Sequence, residues 1–429
     1  MTNKKIKFVD LFAGIGGFHQ ALKFVAQDNN IDIECVFVSE IDKYAIETYT
    51  HNFNYDKNQI INIRDIDNIE KDVPEHDFLF AGFPCQTFSN AGNKKGFLDE
   101  IRGTLFFEIA KILNEKKPKY ILLENVKHII KHDNGETWKI INNKLKEIGY
   151  LIPKKPLVLS PHNFGIPQER ERVFIPGVLK SKIAENIDEI DLEEDINKYK
   201  KNFNSDNFIQ EKNKIYNNIL ETKINEKYLL KNNANGSYLQ KVFDAWNEFL
   251  QNVKKPLNRT LPVIWLKELT QTYELNPELM THWRYKYISD MRDIYKNNKI
   301  FIDSWFKKHD PLSWKIREQK FEWQAGKDIN DIKESFIQLR QSGIRCKRPV
   351  KFPTLVAMVQ IPIIFDNTLK EWRYLTPRET ANLQSFPKTF KLHNELNTSN
   401  DDYYSYKQFG NSVNVEIIKI IQKTLLDNY

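Results

Sequence analysis

The sequence predicts an α/β protein: a Rossmann-like, doubly wound, mostly parallel sheet with a smaller second domain. Three observations lead there. The chain begins with an apolar strand, a glycine turn and a helix pattern. Apolar runs bounded by Gly or Pro then alternate with amphipathic stretches, and this alternation stops beyond Gly177.

Residues 6–13 are strand-like, and Gly14-Ile15-Gly16-Gly17 opens a helix pattern reaching about Ala26. Glycines let backbone approach a ligand closely, and a helix N-terminus supplies free N–H groups. By itself Gly-x-Gly-Gly is weak evidence, because the dinucleotide fingerprint needs a third glycine further along. A second strand over 34–39 ends in Glu40, placed to accept from ribose hydroxyls, although a surface glutamate explains that residue better when it is taken alone. A helix over 42–52 follows. Ile63-Arg64-Asp65-Ile66 ends a candidate third strand, with Asp65 available to an adenine or amino group.

The fourth strand, Phe78-Leu79-Phe80-Ala81, runs into Gly82-Phe83-Pro84-Cys85-Gln86. In an open α/β sheet the loop past a strand's carboxyl end is where ligands sit, so Cys85 stands where chemistry would occur. Residue type alone leaves Cys85 open between a nucleophile and an inert small hydrophobe. Residues 90–99 form a polar loop, and a helix over 103–116 is stopped by Pro118. The fifth strand, Tyr120-Ile121-Leu122-Leu123, ends in Glu124-Asn125-Val126, where desolvation could raise a carboxyl toward pH 7. After a helix over 137–147, strands at 157–160 and 172–175 flank Gln168-Glu169-Arg170-Glu171-Arg172. Strand alternation would put Gln168, Arg170 and Arg172 on one face, suited to an anionic or carbonyl-bearing substrate or to plain exposed decoration.

From residue 181 the chain turns Asn-, Lys- and Ile-rich, which sets a domain boundary there. Residues 251–360 carry 21 Lys and Arg against 12 Asp and Glu, while 181–250 carry 10 against 13, so the chain's net charge of +7 is unevenly spread. Six of the eight tryptophans (265, 283, 305, 314, 323 and 372) lie in or just past the basic segment. This mixture suits a polyanion partner or, equally, an aromatic core under a lysine-rich surface. Arg340 to Arg348 reads as a basic loop. A helix over 377–386 has Thr376 as N-cap, Pro377 at its first position and Glu379 completing a capping box. Gln408-Phe409-Gly410-Asn411-Ser412-Val413 opens a terminal amphipathic helix over 415–426.

Bulk properties exclude several classes. At 429 residues the chain accommodates two or three domains, and no apolar run approaches the roughly 20 residues a membrane helix needs. The start has no signal-peptide core, which predicts a cytoplasmic location. Cys35, Cys85 and Cys346 make no disulfide framework, and no Cys/His spacing suggests a metal.

Taken together, Asp10-Leu11-Phe12-Ala13-Gly14-Ile15-Gly16-Gly17-Phe18, Gly82-Phe83-Pro84-Cys85-Gln86, Arg102-Gly103-Thr104-Leu105-Phe106-Phe107, Glu124-Asn125-Val126, Gln168-x-Arg170-x-Arg172 and Gln408-Phe409-Gly410-Asn411-Ser412-Val413 resemble the DNA (cytosine-5)-methyltransferase family, in the style of bacterial restriction–modification enzymes. They occur in that family's order and spacing, over roughly residues 4–178 and 350–429. The resemblance implies an S-adenosylmethionine-dependent methyltransferase fold. Residues 1–180 would form the catalytic and cofactor-binding domain, completed by about 376–429, and 181–375 a variable target-recognition domain. It implies S-adenosyl-L-methionine held by Asp10, Phe12, Gly14, Ile15, Gly16, Gly17, Glu40, Ile41, Asp65, Ile66, Gly82, Pro84, Leu105, Asn411 and Val413. Ile41 departs from the aromatic found in some relatives. Cys85 would attack carbon 6 of a flipped-out cytosine, Glu124 would support ring nitrogen 3, and Arg170 and Arg172 would bind the base carbonyl or a phosphate, under a lid at 86–99. Gln86, Ser89, Val126 and Gln168 are further expected substrate contacts, with Arg345, Lys347 and Arg348 placed on the backbone of double-stranded DNA. A monomer on bacterial DNA, with a separate cognate restriction endonuclease, completes the expectation. The basic, aromatic-rich middle argues against the transfer RNA methylation of a few relatives, and an intact Cys85, Glu124, Arg170 and Arg172 against a silent binding protein.

Overall fold

The computed structural model describes residues 5–63, 69–84, 105–184, 187–201, 217–255, 261–271, 273, 275–356, 360–396 and 401–429. The chain divides into two compact units, Met1–Asn204 with Thr380–Tyr429, and Ser205–Glu379.

The first unit is built on an eight-stranded sheet in the order β3-β2-β1-β4-β5-β8-β6, with β7 also on β8. Its strands are β1 (Lys5–Leu11), β2 (Asp32–Ser39), β3 (Ile60–Ile61), β4 (Phe78–Gly82), β5 (Tyr120–Val126), β6 (Tyr150–Leu151), β7 (Leu157–Leu159) and β8 (Arg172–Leu179). The first five run parallel, while β8 runs antiparallel to β5. Between them lie the helices α1 (Gly17–Asn29), α2 (Lys43–Phe53), α3 (Ile69–Asp72), α4 (Leu105–Lys116), α5 (Glu136–Ile148) and α6 (Glu193–Lys198). This is the doubly wound arrangement expected of the sequence, and its strand order reverses between β1 and β4, the place where such sheets hold ligands.

The strands are apolar on both faces because helices cover both. Val9, Leu11, Leu79, Ala81, Ile121 and Leu123 pack with Phe106, Ile109 and Leu113 of α4. The alternate residues Phe8, Phe78 and Phe80 pack together on the other face, where Phe18 of α1 stacks on Phe80 at 5.4 Å. Residues 169–171 lie outside the strands, since β8 begins at Arg172, yet the expected alternation is kept: Gln168 and Arg170 are buried and Arg172 half-buried, while Glu169 and Glu171 between them are exposed.

This unit runs past residue 180 to Asn204. Burial of Ile190, Leu192 and Ile196 accounts for the later boundary, together with Lys201 N–H donating to the Asn163 carbonyl at 2.8 Å.

The second unit carries α7 (Gly236–Asn252), α8 (Leu266–Leu269), α9 (His282–Asn297) and α10 (Lys299–His309) on a six-stranded sheet. The strands β9 (Ile264–Trp265), β10 (Lys320–Gln324), β11 (Phe336–Arg340), β12 (Gly343–Lys347), β13 (Ile363–Asp366) and β14 (Glu371–Tyr374) follow the order β14-β13-β11-β12-β10-β9. The segment expected as a basic loop, Arg340 to Arg348, is instead the turn and second strand of a hairpin. Its alternation explains this: Ile344 and Cys346 enter the core, while Arg345 and Lys347 take the opposite face. Most of the aromatics are core as well. Trp246 and Trp305 are fully buried, their indole N–H groups donating to the carbonyls of Glu318 and Ala245 at 3.0 and 2.9 Å.

The chain returns through α11 (Pro377–Leu383), α12 (Asp402–Asn411) and α13 (Val415–Asn428). The expected capping box is present: Glu379 N–H donates to Thr376 Oγ1 at 3.1 Å, and Thr376 N–H to Glu379 Oε2 at 2.9 Å. Glu379 also receives both terminal nitrogens of the fully buried Arg373 at 2.8 and 2.9 Å, and Arg373 Nε donates to Asp366 at 2.8 Å. Removing the cation strands two carboxylates away from water. Arg373→Met is expected to cost about 3–5 kcal/mol in urea denaturation, and adding Glu379→Gln to recover part of the loss.

Candidate active site at the carboxyl edge of the first sheet

The turn after β1 exists because three residues take left-handed backbone: Phe12 (φ 55°), Gly14 (55°) and Gly16 (84°). At Gly16 a Cβ would lie 2.2 Å from the ring of Phe53, and at Gly17 one would lie 2.6 Å from Val413. Only glycine fits either position. At Gly14 a Cβ would meet none of the described residues within 4 Å, so the turn is open toward them. Ile15 is buried beneath it.

Glu40 knits this turn to the end of β2. Its Oε2 accepts from Gly14 N–H at 2.7 Å and its Oε1 from Ile41 and Asp42 N–H at 2.7 and 2.8 Å. A carboxylate offers about four acceptor sites, which leaves capacity for one more donor. Ile41, beside it, is 74% exposed, an apolar face open to a planar ring. Asp10 lies below, fully buried, and neither of its oxygens has a hydrogen-bond partner among the described residues. Burial, and then the charge of Glu40, holds the Asp10 carboxyl well above the usual carboxylate range. Orphaned oxygen, open cradle and exposed apolar rim fit a nucleoside-bearing ligand.

The second half of the site is at the ends of β4 and β5. Gly82 pairs in register with Glu124, and a Cβ on Gly82 would sit 3.7 Å from Glu124 Oε2. Asn125 braces the two strand ends, donating its side-chain amide to the Phe83 carbonyl at 2.8 Å while its Oδ1 accepts from Val126 N–H at 2.8 Å. Pro84 is exposed just beyond. Arg172 Nε lies 3.2 Å from Glu124 Oε1. Burial pushes the Glu124 carboxyl above its ordinary value, while Arg172 and then Arg170 pull it back. Arg172 keeps 18% of its side chain exposed and Glu124 12%, so both can meet a ligand.

Arg170 is placed differently from the expectation. It is buried, and its guanidinium donates to the carbonyls of Gly410 and Ser412 at 3.0 and 2.8 Å, while its N–H donates to Ser160 Oγ at 3.1 Å. Arg170 therefore fastens the C-terminal segment to the sheet rather than reaching outward. Gln168 is also fully buried, its amide without a partner among the described residues. The C-terminal segment brings Val413 onto Gly17, leaves Asn411 exposed at the end of α12, and is tied to the N-cap of α2 by Lys407 Nζ and Asp42 at 2.7 Å. Leu105 opens α4 and is partly buried; Val126 is 38% exposed. Cys85, Gln86, Ser89, Asp65 and Ile66 lie outside the described residues, as does all of 86–99.

Asn125, Ser160 and Lys407 were not singled out from sequence. Asn125 at least lies inside a quoted motif, but no local signal marks Ser160, ten residues from the arginine it holds.

In the second unit, Arg348 makes a bidentate pair with Asp328 at 2.8 and 2.7 Å, and Arg345 and Arg340 both pair with Glu322. Lys347 alternates with Cys346 on the outer face of β12. Among the described residues no His, Cys, Asp or Glu cluster could hold a metal, and no helix is long and apolar enough to cross a membrane.

The family model for C-5 cytosine-specific DNA methylase matches residues 6–427. The chain is 36% identical to the Type II methyltransferase M.BanI of Aneurinibacillus aneurinilyticus, over 99% of this chain and 96% of that protein. To M.HgiCI of Herpetosiphon aurantiacus it is 34% identical, over 97% and 96%. The Entamoeba histolytica methyltransferase EhMeth shares the fold, with a TM-score of 0.52 at 16% identity over 99% of each chain.

Asp10 yields a pH prediction. Its contribution to stability is complete below the ordinary carboxylate range and is lost as pH rises toward its raised folded-state value, because only the unfolded chain ionises freely. Asp10→Asn is expected to stabilise the ligand-free protein at pH 8 by at least about 1 kcal/mol, with the gap closing toward pH 4 in urea titrations.

Proposed function

The chain belongs to the C-5 cytosine-specific DNA methylase family, and on that premise we propose that it transfers a methyl group from S-adenosyl-L-methionine to carbon 5 of a flipped-out cytosine in one short duplex DNA sequence. It is an enzyme of the DNA (cytosine-5-)-methyltransferase class, of Type II restriction–modification type. The observation carrying the finer proposal is the pairing of a cradle at Gly14 and Glu40 with a part-buried Glu124–Arg172 pair at the same edge of one sheet.

Bound S-adenosyl-L-methionine supplies an electrophilic methyl group. The protein holds the nucleoside end against Phe12, Ile41 and the free capacity of Glu40. Cys85 forms a bond from its thiolate sulfur to carbon 6 of the base, and the ring electrons move to carbon 5, which becomes the nucleophile. Burial pushes the thiols of Cys35 and Cys346 up to about 12, which leaves Cys85 as the thiol suited to attack. Glu124, with its raised carboxyl, shares a proton with ring nitrogen 3 as charge builds there. Arg172 orients Glu124 and offers its remaining N–H groups to the base carbonyl. Carbon 5 takes the methyl group as its bond to the donor sulfur breaks, which leaves S-adenosylhomocysteine, and loss of the carbon 5 proton to water then expels the Cys85 thiolate and restores the ring. Arg170 acts one step back, keeping Gly410 to Val413 beside the glycine turn.

Bisulfite sequencing of plasmid DNA from cells expressing the chain is expected to show protected cytosines in one recurring motif, absent with Cys85→Ala. Equal conversion in both plasmids would refute the DNA reading. Glu124→Gln is expected to lower kcat by on the order of a hundred-fold. Calorimetry should find S-adenosylhomocysteine bound as tightly as by the wild type.

A further inference from the structure

The arginines expected on DNA are occupied within the second unit: Arg348 by Asp328, Arg345 by Glu322. A different surface of that unit is uncommitted. Leu279 is 84% exposed and Trp283 70%, and of the eight tryptophans Trp283 alone is exposed. Trp283 lies in the first turn of α9, whose later residues Ile288, Met291 and Ile294 are buried in the core. The helix is thus anchored by its second half while its first turns project. His282, Arg284 and Lys286 are exposed between Leu279 and Ser289, a stretch bounded by Glu278 and Asp290.

Two large apolar side chains four residues apart, both more than two-thirds exposed, offer apolar surface that binding can cover. The charge names the occupant: between Glu278 and Asp290 the exposed charges are the cations Arg284 and Lys286, which complement a polyanion. Resting on the DNA-methylating function, we propose that this edge of α9 docks on duplex DNA, with Trp283 and Leu279 against base or sugar faces and Arg284 and Lys286 on phosphates. An aromatic or aliphatic side chain can seat on any base, so this contact supplies affinity and position rather than sequence choice. Tyr287, one turn on, lies near enough to Glu322 for that carboxylate to add to the effect of burial in pushing its phenol up. Glu322 already faces Arg340 and Arg345, two cations for one anion, so the neighbouring sheet face carries surplus positive charge too.

The test uses the full chain and a labelled duplex carrying its methylation motif, read by anisotropy. Trp283→Ala is expected to weaken duplex binding on the order of ten-fold. Trp283→Phe should retain most of the affinity, and S-adenosylhomocysteine binding should be unchanged in both. Arg284→Ala is expected to lower the slope of log affinity against log salt by roughly one. Unchanged duplex affinity in Trp283→Ala with Leu279→Ala, in a chain whose wild type methylates DNA, would overturn the proposal. So would unchanged affinity alongside loss of self-association in sedimentation, which would assign the edge to a second copy. A wild type that neither binds nor methylates duplex defeats the underlying function instead.

Discussion

Contact between Val413 and Gly17 closes the chain on itself, and the site is arranged around that closure. With a Cβ on Gly17 only 2.6 Å from Val413, no other residue lets the terminal segment come so near the first helix. Three further bonds hold the approach: Arg170 donates to the Gly410 and Ser412 carbonyls, and Gln422 donates to the Phe18 carbonyl at 3.2 Å. A buried guanidinium is costly unless hydrogen-bonded, so the carbonyls and the arginine require each other. The turn after β1, the segment before β8 and the start of α13 consequently form one packed body.

Three carboxyls at this edge differ only in surroundings, and the differences assign their tasks. Glu40 is fixed by three backbone N–H groups and rigidifies the turn it shares with Gly14. Asp10 has none, and burial favours its neutral form. Glu124 stands between the two, desolvated by burial yet faced by Arg172. A group balanced in this way can share a proton, whereas a fully paired or fully orphaned one cannot do so as readily.

The second unit follows another logic. Its tryptophans are used as bulk, its arginines largely as partners for Glu322, Asp328, Asp366 and Glu379. A basic, aromatic-rich stretch is therefore weak evidence of nucleic-acid contact until exposure is known. Trp283 differs from the other tryptophans because it precedes the buried half of its helix.

Sequence alone determined the order of strand and helix in the first unit, the capping box at Thr376 and Glu379, and the places of Glu40, Gly82 and Glu124 at strand ends. These are local consequences of apolar periodicity, glycine geometry and capping chemistry, which short stretches of chain express by themselves. It misjudged Arg170, the hairpin around Arg345 and the boundary after residue 180. For Arg170 the deciding partners are distant, Gly410 and Ser412 lying 240 and 242 residues away, whereas the hairpin pairs Phe336 with Lys347 locally and its alternation stands in the sequence itself. Whether an arginine faces solvent, a carboxylate or a carbonyl depends on which segments the fold brings against it, and only the tertiary structure decides that.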